Sequence, residues 1–135
     1  MRPLLFASLL FAAAPAFALE CGDVVLHDTV LTADLTCHGE DNALLVGRSG
    51  VTLDLGGHTI RGADVGVAVE DAHGVHITHG RIEDVRVGVL VLRGENARID
   101  RLDFIALGDG VRLHNAERAH VVSNRFDGVV GHAVA

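Results

Sequence analysis

"GVAVEDAHGVHITHGRIEDVRVGVLVLRGENARIDRLDFIALGDGVRL", residues 66–113, decides the fold. Gly66, Gly88 and Gly110 each open a GV-x-apolar phrase, and each step between them is 22 residues. Ile60, Ile82, Phe104 and Phe126 keep the same step, as do Ala63, Val85, Leu107 and Val129. So do Val75, Ala97 and Ala119, with Ile77, Ile99 and Val121 two positions on. A fixed period of this size marks a repeat architecture. Within each repeat the apolar residues alternate, as in Val67-Ala68-Val69 and Val75-His76-Ile77. Alternation over such short runs predicts strands, with Gly, Asn and Asp supplying the turns between them.

Short strands recurring every 22 residues predict an all-β protein: a right-handed parallel β-helix of about four coils. Each coil holds about three strands, and successive coils stack at ~4.8 Å. One coil cannot bury its own apolar face, so the stack supplies the stability. Residues 51–135 are expected to form the coils, and residues 19–50 the N-terminal cap and the lead into the first coil. The cap contains "CGDVVLHDTVLTADLTC", residues 21–37, which lacks the period. Its Cys21 and Cys37 are expected to form a disulfide that staples it. The competing use of these thiols, a metal site with His27 and His38, matches no standard ligand spacing. "GHAVA", residues 131–135, resembles the opening of another coil, so the repeat region reads as C-terminally incomplete. Its open end would be covered by missing coils or by self-association, because bare strand edges invite pairing.

Residues 1–18 read as a secretory signal: Arg2, an apolar run from Leu4 to Ala14, then Ala16-Phe17-Ala18 before cleavage between Ala18 and Leu19. The run is short for a bilayer span, so no membrane association is expected after cleavage. The mature chain is expected in the periplasm or outside the cell. The full chain has a net charge of −7 and no lysine, and loss of Arg2 makes it more acidic still. Such a charge disfavours nucleic acid as a partner. Phe104 and Phe126 are the aromatic residues left after cleavage.

"VTLDLGGHTIRG", residues 51–62, resembles a recurrent opening coil of bacterial right-handed parallel β-helix proteins. The preceding "LTADLTC" phrase and the following "GVHITHGRI" resemble its neighbouring segments. The group includes the carbohydrate-binding and sugar-hydrolase (CASH) domains and the NosD-like periplasmic proteins, all of the pectin-lyase-like superfold. The resemblance implies the fold firmly and function only through analogy. In it Asp54, Gly57 and His58 look structural, and Gly56 stands where the usual pattern has a turn asparagine.

Aligning the coils places outward side chains in rows. One row reads Thr52, His76, Arg98, His120; the next reads Asp54, Thr78, Asp100, Val122; a third reads Thr59, Arg81, Asp103, Arg125. The third is expected to be an alternating-charge ladder. The first two supply the catalytic candidates His76, Arg98, Asp100 and His120. A lyase or epimerase acting on an acidic glycan would use Arg98 or Arg101 to neutralise a carboxylate and a histidine as base. A glycosidase would need paired carboxylates, for which Asp100 and Asp103 are available. Glu70-Asp71 and Glu83-Asp84 read as solvated turns rather than calcium ligands. His73, His76 and His79 look like a metal motif but fall on differently directed positions, and His76 and His120 lie two coils apart. No cofactor or metal is expected. Three functions follow: a domain engaging extracellular polysaccharide or a protein along its side, with no activity assigned; a truncated carbohydrate lyase, epimerase or hydrolase; and a periplasmic NosD-like accessory of copper-enzyme maturation. With so few carboxylates clustered, the chain as it stands leans away from catalysis.

Overall fold

The computed structural model describes residues 18–105 and 108–135. The bulk of the expected signal segment and Leu107 of the apolar series lie outside them. The described chain is strand, turn and bend, without a helix. In chain order the strands are β1 Asp23–Val25, β2 Thr29–Val30, β3 Leu35–Thr36, β4 Asn42–Val46, β5 Thr52–Asp54, β6 Thr59–Arg61 and β7 Val65–Glu70. There follow β8 His76–Glu83, β9 Val87–Leu92, β10 Arg98–Ile105, β11 Asp109–His114, β12 His120–Val122 and β13 Arg125–Asp127. All pairings are parallel.

One sheet runs β11-β9-β7-β4-β1, and the other runs β12-β10-β8-β5-β2 with β13, β6 and β3 attached. The second sheet bends, because β8 and β10 turn at His79 (φ 65°) and Arg101 (φ 53°). Residues before the bend in β8 pair with β5, and those after it pair with β6. Each coil therefore has three sides, and about five turns stack into a parallel β-helix.

The 22-residue step is the register itself: Val65–Val87–Asp109, His76–Arg98–His120 and Arg81–Asp103–Arg125 are lateral partners. Each side contributes at least one interior row. Leu44–Val67–Val89–Val111, Leu53–Ile77–Ile99–Val121 and Ile60–Ile82–Phe104–Phe126 stack coil on coil, and all but Val121 and Phe126 are buried. A large aliphatic side chain buried in this way stabilises the fold by roughly 1.5–3 kcal/mol. The Phe104 and Phe126 rings stack with centroids 5.0 Å apart and planes within 6°, matching the coil rise.

Residues 21–37, read from the sequence as a cap lacking the 22-residue period, contribute strands to the same stack. They form the first coil: β1 pairs with β4, β2 with β5 and β3 with β6. The step there varies, from Asp23↔Leu44 to Leu35↔Ile60, because the early corners differ in length. That irregularity hid the coil from a search at one fixed period. The disulfide forms as expected: Cys21 and Cys37 are bonded, with Cα atoms 5.8 Å apart. It links the two ends of this coil. Such a bond is the usual mark of an oxidising, extracytoplasmic compartment. At the other end, Gly110, Val111 and Leu113 donate backbone hydrogen bonds to His132, Ala133 and Ala135, so "GHAVA" pairs as the opening of a further coil.

The "LGGH" corner, residues 55–58, is longer than the next one. His76 lies 24 positions after its partner Thr52, whereas Arg81 lies 22 after Thr59. Asp54 shapes this corner by accepting a hydrogen bond from the Gly56 amide at 2.7 Å. Gly56 has φ 61°, and a Cβ there would sit 2.5 Å from the Leu31 carbonyl oxygen. The turn asparagine of the related pattern would not fit this backbone without a shift.

Candidate functional site

The rows read from the sequence are real neighbours. Thr52, His76, Arg98 and His120 are successive lateral partners, as are Asp54, Thr78, Asp100 and Val122. Three of the four proposed catalytic residues are joined by two contacts, both to Asp100. Asp100 Oδ1 accepts from His76 Nε2 at 2.8 Å, and Asp100 Oδ2 accepts from Arg98 Nε at 2.9 Å. His120 stands on the far side of Arg98, exposed, one coil further on.

Asp100 is 7% exposed, and its burial is the largest single influence on its carboxyl, pushing the pKa up. Hydrogen bonds from Thr78, His76 and Arg98, with the nearby His76 charge, more than offset that push. The carboxyl is held far below the usual carboxylate range. It is therefore ionised at neutral pH with its oxygens occupied. Such a group orients His76 and Arg98; it holds no proton to give to a leaving group.

The Thr59–Arg81–Asp103–Arg125 row is in register but is not the charge ladder expected of it. Among the described residues, Arg81 and Asp103 form no ion pair, and Arg125 pairs with Asp127 on its own strand at 3.2 Å. The inter-coil ion pairs lie elsewhere, at turns: Arg86 with Asp64, Arg93 with Asp71 and Arg118 with Glu95. The first two are bidentate. Asp71 is thereby committed to an arginine, and Glu83 lies 3.2 Å from an Arg61 Nε whose N–H is not aimed at it. Among the described residues no three His, Cys, Asp or Glu side chains converge as metal ligands. His73, His76 and His79 diverge: His73 Nδ1 accepts from the Glu95 amide at 3.0 Å, His76 meets Asp100, and His79 Nδ1 lies 3.2 Å from Asp54.

The last of these contacts belongs to a site the sequence did not reveal. Where the second sheet bends, a shallow depression of about 400 Å³ is lined by Asp34, Thr59, His79, Arg81, Arg101 and Asp103, together with Gly57 and Gly80. Gly57, His79, Arg101 and Ser123 occupy equivalent corner positions, all with positive φ. This column was illegible because its residue types share no chemistry; their common property is a backbone angle. The Asp–His contacts at the corner, Asp54–His79 and Asp34–His58, span 25 and 24 positions. They run diagonally between coils, where a 22-step alignment does not look. Asp34 also accepts from the Thr59 amide at 2.9 Å, and chiefly for that reason its carboxyl sits below its ordinary pKa. Asp54 and His58 thus shape the corner, as the motif suggested.

This side of the molecule is a polar, exposed strip with fixed charges and an open depression. It can hold hydroxyl and anionic groups in repeated positions. The depression is open, and of the two carboxylates that line it, Asp34 and Asp103, Asp34 is held by the Thr59 amide. The chain matches no protein-family model, no curated protein and no solved structure.

Proposed function

We propose that the protein is a periplasmic or secreted β-helix repeat domain that binds an extended extracellular glycan along the bent sheet, without catalysing its cleavage. The observation that carries this reading is the alignment of polar rows, Thr52–His76–Arg98–His120 and Thr59–Arg81–Asp103–Arg125, at the coil repeat on the two sides of the sheet that meet at its bend. A polymer with regularly spaced hydroxyls meets such rows many times, so weak exposed contacts accumulate. The resemblance of residues 51–62 to CASH-type coils favours a glycan over a protein partner. The commitment of Asp100 to three donors speaks against its use as acid or base, and so against a lyase, epimerase or hydrolase. The divergence of His73, His76 and His79 speaks against a NosD-like role in copper handling.

The test is a panel of acidic and neutral polysaccharides, scored both for binding and for released reducing or unsaturated ends. Binding without product, weakened by Arg98→Ala, is the expected result. Product release that Asp100→Asn abolishes would replace this reading with the enzymatic one. Absence of binding across the panel would sink it.

A further inference from the structure

We propose that the depression at the bend is a binding site for an oxyanion, the carboxylate or sulfate of a hydroxylated ligand. This deepens the glycan reading by naming the group recognised and the corner that recognises it.

Arginine pairing singles out the place. Arg61, Arg86, Arg93, Arg98, Arg112, Arg118 and Arg125 each have a carboxylate at ion-pair distance. Among the described residues Arg48, Arg81 and Arg101 have none; Arg81 and Arg101 line the depression at the bend together, whereas Arg48 lines a separate one. Two guanidiniums with no carboxylate at ion-pair distance share this concavity with Asp34, which is already held by the Thr59 amide, and with Asp103, so both arginines are open to an oxyanion.

Arg101 is also held in place. Its φ of 53° sets it on the corner, and its Nε donates to the buried Thr78 hydroxyl at 3.3 Å. Thr78 in turn hydrogen-bonds Asp100. The terminal nitrogens of Arg101 are left for a ligand, while Nε is tied to the network that organises His76 and Arg98. His79 adds directionality. The Asp54 carboxylate can only accept, so His79 Nδ1 donates to it and Nε2 is left to face a ligand. Nε2 lies 3.8 Å from the position a Cβ of Gly57 would take. Gly80 lets the corner backbone close on the preceding coil, since a Cβ there would meet Leu55 Cβ at 2.4 Å and the His58 carbonyl oxygen at 2.8 Å. Asp103 supplies an acceptor beside the two arginines. The set matches an anion carrying neighbouring hydroxyls: the oxyanion goes to Arg81 and Arg101, and hydroxyls go to Asp103 and His79.

Amide NMR titrations of the full chain at constant ionic strength test this, using sodium sulfate, a trigalacturonate, a sulfated disaccharide and neutral maltotriose. Shifts centred on Gly57, Gly80 and Arg101 with the charged probes are expected, with the favoured sugar identifying carboxylate or sulfate as the group. Arg101→Gln and Arg81→Gln should each weaken that response about fivefold, the scale of one exposed charge contact. Arg118→Gln, at a paired arginine, should leave it unchanged. Shifts spread equally over all arginine-bearing turns, or a response insensitive to both substitutions, would overturn the site. If polysaccharides bind but show no preference for charge, the anion site fails and the glycan reading stands. If sulfate localises to the corner while every polymer fails to bind, the glycan reading fails and the anion site stands.

Discussion

Gly88 sits against the ring of Phe104: a Cβ built on Gly88 would lie 2.6 Å from two of its ring carbons and 2.5 Å from the Gly110 carbonyl oxygen. The same relation holds between Gly66 and Ile82, and between Gly110 and Phe126. The glycine row and the large apolar row are thus two halves of one packing solution, in which the side of the coil carrying no side chain makes room for the side carrying the largest. Gly88→Ala should cost about 1–3 kcal/mol by overpacking. Thermal melts check this, and the cost should shrink on a Phe104→Leu background because the two positions share one volume.

The Cys21–Cys37 bond closes the first coil, whose strands are short and whose turns are irregular. Replacing both cysteines by alanine should lower stability by about 3 kcal/mol in the chain-entropy model. Hydrogen exchange should show β1, β2 and β3 losing protection while the interior coils keep theirs. Uniform loss across all coils would contradict a local staple.

Asp100 has a lower carboxyl pKa in the folded protein than its ordinary value of 3.8. Its ionised form is thus favoured by folding. The resulting stability is present above the unfolded value and is lost as pH falls through the folded one. Asp100→Asn should cost about 2 kcal/mol at neutral pH, by breaking charge-assisted hydrogen bonds from His76 and Arg98. Its unfolding free energy should also vary less with pH below 3.8 than that of the parent. A parallel pH profile for the two proteins would contradict this account.

Arg93 and Asp71 make a bidentate pair between coils, yet both are more than half exposed. Arg93→Gln should change stability by under about 1 kcal/mol, with a smaller difference in high salt. A larger loss in urea titrations would mean that the turn pairs act as a coupled ladder.

The period made the core rows legible because identical geometry at each coil demands similar volume, and volume leaves a mark in residue type. It made the outward rows legible too, down to the contact between Arg98 and Asp100. The first coil was not legible, since Leu35 and Ile60 occupy equivalent places 25 positions apart and no Gly-Val phrase marks them. Neither was the depression. His79 and Arg101 share a backbone angle that either residue can adopt at modest cost, and whether Arg81 pairs with Asp103 depends on side-chain direction, which register alone does not specify.

The parallel pairing of every coil has a mechanical consequence. The inter-strand hydrogen bonds point along the stack, while the covalent chain runs around it. Pulling the two ends apart along the axis loads those bonds a coil at a time, as a zipper; pulling across the coils loads many together, in shear. The molecule is therefore weak in one direction and stiff in the other, with the Cys21–Cys37 bond limiting how far the first coil can peel.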